Sequence, residues 1–499
     1  MQPAEPTHAG APHAPREPPL VPLREALPVW TNVALNSFGG PAGQIAVMHR
    51  VLVEERRWIS EARFLHALNY CMLLPGPEAQ QLATYVGWLL HRTPGALLAG
   101  TLFVLPGFVA ILALSFVYAR FGDVGLVAGL FAGVQPAVLA IVAQAVVRLG
   151  RRVLRARVDA VVAVAAFVAI FVFEVPFPWI VLGGAVAGAL AHRAGARDVG
   201  GAHPGGARVA GGAAHGLGAP EHGAVAPAAG VPQGAGVPDD AAPAHATIAA
   251  RLDAHAPAHT RPSVRRALRT AATCLGLWFA PLLAIAAFAG ADSPLLRIGT
   301  FFSRAAIVTF GGAYAVLAYV AQQAVEVHGW LQPGEMLDGL GMAETTPGPL
   351  IMVVQFVGFM GAWRHPDGLD PWVAATLGAL LATWVTFVPC FLWILVGAPW
   401  IEALRGSRAL AAALRGLTAA VVGVLVNLAV WFALHALFAD VGERHAGPLR
   451  WFAPSLATLR ISALVIAVLA LLATFRFRLG MLPVLGGAAL LGMAWSLLG

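Results

Sequence analysis

The chain has 499 residues, of which 58% are hydrophobic and only 11% are charged, and its mean hydropathy is +0.73. A soluble domain carries about 25% charged residues, so this composition excludes a soluble globular protein and predicts an all-α polytopic membrane protein. The net charge of +7 comes from arginines that cluster in loops between apolar segments, which is typical of cytoplasmic loops and argues against a nucleic-acid binder. The cysteines all lie in apolar segments and predict no disulfide framework; they are Cys71, Cys274 and Cys390.

The first two apolar segments are each interrupted by a short Gly/Pro sequence. The first is broken at residues 39–41 (GGP) and the second at residues 75–77 (PGP). The arms on either side have about 14 residues, or about 21 Å, against a hydrocarbon core of about 30 Å. The sequence therefore predicts either two re-entrant hairpins whose tips meet inside the membrane or two kinked full crossings.

These breaks have the properties of an anion site. Glycine adopts backbone dihedrals that other residues avoid, and proline cannot donate the hydrogen bond that would continue a helix. The helix that restarts after each break presents free N–H groups and the positive end of its dipole. Broken backbone at membrane depth is tolerated only inside protein or beside a wet cavity. The breaks are therefore predicted to hold an anion with backbone donors.

Arginines orient the segments that follow. Five arginines between residues 148 and 157 precede an apolar hairpin at residues 158–191, so both ends of this hairpin are predicted to be cytoplasmic. Residues 193–262 are rich in Ala, Gly, Pro and His, and predict a disordered linker that is dispensable over residues 200–258. The irregular spacing of its histidines favours a solvated linker over a metal site. The six histidines are His203, His215, His222, His245, His255 and His259.

The second half of the chain repeats the first. Phe-Gly-Gly at residues 38–40 recurs at residues 310–312, and Pro-Gly-Pro at residues 75–77 recurs at residues 347–349, each 272 positions later. A single crossing over residues 267–290 places the start of the second copy on the outer side. The two copies are therefore predicted to be inverted repeats, the architecture of secondary transporters. Further pairs, 283 positions apart, are Pro106 with Pro389 and Gly133 with Gly416.

Two carboxylates lie beside the breaks, where a charge is costly. Glu78 follows the second break of the first repeat, and Glu344 precedes the matching break of the second. An ionisable group at membrane depth is a functional candidate, so both are predicted to couple protons; capping of the following helix is the alternative for Glu78. Arg304 lies in an apolar segment. Its predicted role is to contact the anion or to pair with Glu344, and a purely structural ion pair is the alternative.

The predicted substrate-binding residues are those at the breaks with their polar neighbours, although interhelical hydrogen bonding is the alternative role for each polar side chain. No metal and no cofactor is predicted. The substrate-binding set is Phe38, Gly39, Gly40, Pro41, Gln44, Asn69, Pro75, Gly76, Pro77, Gln80, Gln81, Arg304, Phe310, Gly311, Gly312, Tyr314, Thr345, Thr346, Pro347, Gly348 and Pro349.

The N-terminus lacks the apolar core of a signal peptide and predicts a cytoplasmic tail. The predicted organisation is a disordered tail (residues 1–22), a first repeat with a helical hairpin (23–192), the disordered cytoplasmic linker (193–262), a connecting transmembrane helix (263–292), the inverted second repeat (293–438) and a C-terminal helical hairpin (439–499).

Long motifs around the breaks resemble those of the chromate ion transporters in their two-domain bacterial form. They are SFGGPAGQIAVMHR from residue 37, NYCMLLPGPEAQQLATYVGWLLH from residue 69 and GMAETTPGPLIMVVQFVGF from residue 341. The resemblance covers about residues 26–192 and 264–498. It implies efflux of chromate from the cytoplasm across the bacterial inner membrane, driven by the proton motive force, and hence chromate resistance.

Other functions are weighed against this one. A carrier of sulfate or another tetrahedral oxyanion fits the breaks almost as well, and an anion channel would keep the sites without coupling. A membrane enzyme such as a chromate reductase would need a redox centre, and the chain has no CxxC, haem-attachment or dinucleotide-binding motif. The chain has no P-loop, which excludes its own ATP hydrolysis as the driving force. The expected partners are the oxyanion and the lipid bilayer, and a homodimer is left open.

Overall fold

The computed structural model describes residues 21–38, 40–72, 74–122, 124–193, 248–254, 257–309, 313–332, 334–401 and 408–498. The described part of the chain contains 17 α-helices and one two-stranded sheet. Five of these helices are long and apolar enough to cross a membrane. The structure therefore confirms an all-α polytopic membrane protein. These five candidate spans are Glu78–Phe121, Gly125–Val153, Val264–Phe288, Pro371–Ile401 and Arg415–Leu437.

The helices of the first half precede the linker. They are α1 (Leu23–Leu35), α2 (Gly40–His49), α3 (Glu61–Cys71), α4 (Glu78–Phe121), α5 (Gly125–Val153), α6 (Arg157–Phe171) and α7 (Phe177–Arg193). The linker end and the connecting segment form α8 (Ile248–Ala254) and α9 (Val264–Phe288).

The second half contains the remaining elements. They are α10 (Pro294–Val308), α11 (Ala313–Gln322), α12 (Glu335–Thr345), α13 (Val353–Arg364), α14 (Pro371–Ile401), α15 (Arg408–Leu437), β1 (Val441–Ala446), β2 (Leu449–Pro454), α16 (Ile461–Phe475) and α17 (Met481–Leu498).

The helices are interrupted at the Gly/Pro sequences. Between α1 and α2 the chain turns at Gly40, which has a φ of +69°, and between α3 and α4 it turns at Gly76, which has a φ of +122°. Positive φ favours glycine because it has no Cβ. The helix α4 is itself kinked, since His91 and Arg92 have non-helical dihedrals. Residues 78–90 therefore form a short arm, and the helix after the kink forms the long segment.

The two halves share local structure beyond the breaks. Both α2 and α11 end in a π-helical turn, Arg50–Glu55 in the first half and Gln323–Val327 in the second. In the first half the carbonyl of Leu52 accepts hydrogen bonds from two successive backbone N–H groups. In the second half Ala324, 272 positions later, does the same. The duplication read from the sequence is therefore also visible in backbone geometry, whereas the inverted orientation stays a prediction.

The helices α5, α6, α7, α15, α16 and α17 pack on one another in one group. Helix α15 packs against α5, α6 and α7, and α5 also packs against α16 and α17. Close helix approach is set by small residues: a Cβ on Gly133 or Gly416 would lie within 3 Å of backbone atoms of the neighbouring helix. Small residues of this kind are common where helices meet in membranes.

The prediction that residues 193–262 are disordered throughout is wrong for its last part. Residues 248–254 form α8, whose Leu252 is only 1% exposed. Arg63 Nε donates to Asp253 Oδ1 at 3.0 Å, and the N–H of Ala249 donates to the carbonyl of Arg57 at 3.2 Å. The apolar Ile248 and Leu252 are four residues apart, which places both on one face of a helix. The other predicted linker residues before α8, from 194 to 247, lie outside the described residues.

The C-terminal segment also differs from the prediction of a purely helical hairpin. Strands β1 and β2 form an antiparallel hairpin in which Val441 pairs with Pro454 and Ala446 with Leu449. Gly447 in the connecting turn has a φ of +59°. Arg450 on this hairpin is 3% exposed and contacts Glu443 and the tip of the α6–α7 connection. The charged residues Glu443, Arg444 and Arg450 therefore lie in a small sheet that precedes α16.

Candidate functional site

The breaks of the two repeats are joined by a reciprocal pair of backbone hydrogen bonds. The N–H of Gly76 donates to the carbonyl of Thr309 at 2.7 Å, and the N–H of Gly348 donates to the carbonyl of Ser37 at 2.9 Å. Gly76 and Gly348 are equivalent positions, and so are Ser37 and Thr309, each pair being 272 residues apart. The second break of each repeat is therefore bonded to the first break of the other.

A second reciprocal contact surrounds the same two glycines. A Cβ added to Gly76 would lie 2.8 Å from Cys390 Sγ, and a Cβ added to Gly348 would lie 3.0 Å from the Cα of Gly107. Gly107 and Cys390 are equivalent positions on the long helices α4 and α14, 283 residues apart. Both break glycines also have positive φ, +122° and +113°. Only glycine meets both the conformation and the close approach.

The hydrogen bonds between the repeats occupy two of the backbone N–H groups at the breaks. The amides of Gly76 and Gly348 already have carbonyl partners in the other repeat. The N–H groups of a helix's first turn have no acceptor within their own helix. The candidate donors beside the breaks are thus the N–H groups of the first turns of α2 and α4 and those of Leu350 and Ile351, since the Met352 N–H already donates to the Pro349 carbonyl. The break glycines shape this region, and the first turns carry its positive potential.

Two buried glutamines hold the backbone of the breaks. Gln44 Nε2 donates to the carbonyl of Gly348 at 2.6 Å, which links α2 of the first repeat to the second break of the second repeat. Gln81 Nε2 donates to the carbonyl of Pro75 at 2.7 Å within its own break. Both side chains were predicted from the sequence to bind substrate. In the structure their amide N–H groups are used to position break carbonyls.

Three buried amide oxygens beside the breaks have no hydrogen-bond partner among the described residues. They belong to Gln80, Gln81 and Gln355. Burying an unpaired polar atom costs about 1–3 kcal/mol, so such atoms mark a place for water or for a polar ligand. A half-turn of the Gln80 amide would direct its NH₂ group to the space that its oxygen faces.

Both predicted carboxylates are buried at the breaks. Glu78 is the first residue of α4 and is 8% exposed, and its Oε2 has no hydrogen-bond partner among the described residues. Glu344 is 1% exposed and lies one residue before the end of α12. A carboxylate in the first turn of a helix interacts favourably with the dipole. The equivalent helix start of the second repeat carries Leu350, so the two repeats differ in charge at this point.

An arginine that sequence reasoning treated as a loop charge reaches the first repeat's second break. Arg152, near the end of α5, has its Nη2 3.9 Å from the Sδ of Met72 and interacts electrostatically with Glu78. It lies among five arginines of similar spacing, so the sequence held no signal that singled it out. Its exposed position provides a cation at the approach to the buried carboxylate.

Other predicted site residues lie differently. Asn69 and Arg304 are exposed on α3 and α10. The hydroxyls of Thr345 and Thr346 hydrogen-bond to carbonyls of the preceding helical turn, an ordinary role for threonine at a helix end. Several predicted residues are not described: Gly39, Phe310, Gly311 and Gly312 lie outside the described residues, as does the side chain of Tyr314.

Comparison with known sequences agrees with the repeated breaks. A sequence model described as chromate transporter matches residues 25–189 and 296–493, one range in each half of the chain. The chain belongs to the chromate transporter family. The two matched ranges leave out the whole segment between α7 and α10, which includes the linker.

Curated relatives from this family are similar over most of their length. The chromate transport protein of Cupriavidus metallidurans is 27% identical over 438 residues, covering 87% of this chain and 88% of that protein. The chromate transport protein of Pseudomonas aeruginosa is 31% identical over 415 residues, covering 82% and 80%. A probable chromate transport protein of Synechococcus elongatus is 26% identical over 414 residues. No solved structure matches the chain.

Proposed function

We propose that this protein exports chromate from the cytoplasm across the bacterial inner membrane, driven by the proton motive force, and thereby confers chromate resistance. The reciprocal hydrogen bonds between the breaks carry this proposal, because they join equivalent points of the two repeats at one locus. A transporter with inverted repeats has its substrate site at such an interface. Membership of the chromate transporter family, with its similarly named relatives, supports chromate as the ion.

The contacts of the first repeat favour re-entrant hairpins over kinked crossings. The carbonyl of Val21, at the start of α1, is 2.5 Å from Nε2 of His91, at the end of the short arm of α4. The α2–α3 connection contacts α8 at Arg57, and the carbonyl of Trp88 is 3.0 Å from Nε2 of His259, just after α8. The ends of all four arms that lie away from the breaks are thus close to the C-terminal end of the linker. Each pair of arms then enters and leaves on the same side.

In this proposal a tetrahedral dianion is held by first-turn N–H groups that converge from both repeats. Hydrogen bonds to an ionised acceptor are shorter and stronger than neutral ones. The unpaired amide oxygen of Gln80 lies beside the second break of the first repeat. Rotation of this amide supplies a further donor, because its present Nε2 partner, the Thr84 hydroxyl, can also donate. Arg152 adds a positive charge on the side where the first repeat's break is approached.

Glu78 and Glu344 couple anion movement to protons. With Glu78 ionised, its carboxylate competes with the anion for the positive start of α4. Protonation removes this negative charge and lets the anion bind, so the two ligands influence each other's affinity reciprocally. A dianion that leaves with one proton still carries one net negative charge outward, so the inside-negative membrane potential drives the export. Glu344 plays the matching part beside the second repeat's break.

The decisive experiment measures uptake of labelled chromate and labelled sulfate into inside-out vesicles, with and without an imposed pH gradient. We expect chromate to accumulate when the medium is more acidic than the vesicle interior, because the proton and the anion enter together, and to equilibrate when the gradient is collapsed. Accumulation of sulfate in preference to chromate would identify an oxyanion carrier of different specificity. Flux of chromate that never exceeds equilibrium, whatever the gradient, would identify a channel and refute the coupled mechanism.

A further inference from the structure

A polar cavity lies apart from the breaks, where α4 ends, α12 begins and α13 ends. It has a volume of about 400 Å³. In the inverted topology proposed above this is the outer side of the protein, opposite the linker. The side chains that matter for the argument are Tyr118, Gln135, Glu335, Asp338, Arg364 and Arg460. We call it the outer cavity.

The two carboxylates of the outer cavity, Glu335 and Asp338, differ in the charge of their hydrogen-bond donors. Arg364 Nη2 donates to Glu335 Oε1 at 2.7 Å, and the same guanidinium donates to the carbonyl of Trp330. Asp338 is 3% exposed, and its hydrogen-bond donors are both neutral. Tyr118 Oη donates to Oδ2 at 2.8 Å, and Gln135 Nε2 donates to Oδ1 at 2.9 Å. Asp338 takes part in no ion pair among the described residues.

Among the described residues, no element packed against α12 forms an ion pair with Asp338. The charged or titratable groups that line the cavity around it are Tyr118 from α4, Glu335 from α12, Arg364 from α13 and Arg460 just before α16, and Gln135 from α5 is neutral. Arg460 forms no ion pair with Asp338 among the described residues. Arg364 is already matched by Glu335. Helix α17 and the turn Leu350–Met352, which also contact α12, carry no charged residue. A buried carboxylate without a counter-ion is costly when ionised, and taking up a proton relieves that cost.

We propose that Asp338 is a proton-binding site of the transport cycle, loaded from and discharged to the outer cavity. The inference rests on the proposed proton-coupled function and adds a site to it. When ionised, Asp338 accepts from Tyr118 and Gln135 and so ties the arm α12 of the second repeat to α4 and α5 of the first half. When a proton from water binds to an Oδ atom, that oxygen becomes a donor and this pattern of hydrogen bonds must change.

The position of Asp338 in the repeat supports this role. It lies six residues before Glu344 on α12, about 9 Å along the helix axis at 1.5 Å per residue. It is thus on the same arm as the carboxylate at the break, nearer the cavity. The equivalent residue of the first repeat, 272 positions earlier, is His66 on α3, which is also titratable. Each arm that leads to a second break therefore carries a proton-binding side chain partway along it.

The test uses purified full-length protein in proteoliposomes, with Asp338→Asn compared with wild type. Chromate counterflow at equal pH reports anion binding and passage, and accumulation under a pH gradient reports coupling. With one proton per anion, one pH unit supports about tenfold accumulation. We expect Asp338→Asn to keep counterflow and to lose this accumulation. Asp367→Asn, an exposed carboxylate on the loop after α13, is the matched control and should keep both.

A variant that keeps the carboxylate provides a second measurement. Tyr118→Phe removes one donor to the ionised form, so the midpoint of the pH profile of coupled transport should move to higher pH. Asp338→Asn with full gradient-driven accumulation, or Tyr118→Phe with an unchanged profile, would overturn the proposal.

Infrared difference spectra with pH measure proton binding without any chromate. The protein should show a carboxyl C=O band that is lost in Asp338→Asn and retained in Asp367→Asn. Absence of that band refutes the Asp338 site, whatever the anion. If wild type shows the band but no chromate counterflow, the proposed chromate transport fails and the proton site stands.

Discussion

Gly76 is the residue at which the geometry of the breaks is most directly testable. Replacing it with alanine changes the chain by a single methyl group. The substitution acts on the backbone, because φ is +122°, and on packing, because the new Cβ would lie 2.8 Å from both Cys390 Sγ and Gln81 Nε2. Its N–H also makes the inter-repeat bond to Thr309, so a shift of the loop would stretch that bond.

The cost can be estimated from these two effects. A non-glycine residue in a sparsely populated region of φ/ψ costs about 1–3 kcal/mol. Overpacking a close-packed site costs typically another 1–3 kcal/mol. The sum is a large part of the roughly 5–15 kcal/mol that stabilises a folded protein. We therefore expect Gly76→Ala to insert and fold with a lowered melting temperature, and to transport chromate at least about tenfold more slowly, the factor that corresponds to 1.4 kcal/mol.

The assay is chromate counterflow in proteoliposomes together with thermal unfolding in detergent. Gly276→Ala is the matched control, because nothing lies within 4 Å of the Cβ it would add on α9. It should transport normally and unfold at the same or a higher temperature, since alanine favours a helix interior over glycine. Adding Cys390→Ala to Gly76→Ala should recover the part of the packing loss that is due to Cys390 and leave the Gln81 contact and the backbone part.

The result that would refute the reasoning is Gly76→Ala with wild-type transport and wild-type melting. Such a result would mean that the break tolerates a side chain and that its close contact with α14 is not required. Gly348→Ala, whose Cβ would lie 3.0 Å from the Gly107 Cα, gives the same test in the second repeat.

Three further predictions follow from other contacts. Glu78→Gln and Glu344→Gln should each retain chromate exchange but reduce its response to a pH gradient, and unchanged coupling in both would end that assignment. Deleting residues 200–247 should leave transport in vesicles intact. Deleting residues 200–258 should lower stability, because it exposes the surface that α8 covers. Burial of Leu252 alone contributes about 1.5–3 kcal/mol there. Gln44→Leu should raise the chromate concentration for half-maximal transport, because the Gly348 carbonyl loses its partner; an unchanged value contradicts this.

The interruptions of the helices were predictable because they depend on local chemistry. Gly and Pro at residues 39–41 and 75–77 limit helix continuation wherever they occur, and the repeat at 347–349 strengthened that reading. The kink at His91 and Arg92 was less visible, although an arm of about 14 residues after the second break ends close to it. The membrane class followed from composition alone.

Contacts between distant segments were not predictable in the same way. The bond from Gly76 to Thr309 joins residues 233 positions apart, and no spacing within either motif specifies it. Asp338 was not selected because it lies near Glu335 in an ordinary helix start, and its neutral partners come from α4 and α5. Docking of α8 was hidden by the Ala/Gly-rich sequence before it.

The reciprocal bonds also limit how the two repeats move. Each second break is hydrogen-bonded to the first break of the other repeat. A displacement of one break therefore strains the hydrogen bonds that join it to the other repeat. We infer that the two breaks change conformation together, as alternating access between symmetric halves requires. Perfect symmetry would make the two end states equal in energy. The carboxylates remove that equality: Glu78 is matched by Leu350, Glu344 by Met72 and Asp338 by His66. We infer that a proton bound to Glu78, Glu344 or Asp338 favours one end state over the other. Such a bias is the condition for a pH gradient to drive an anion in one direction.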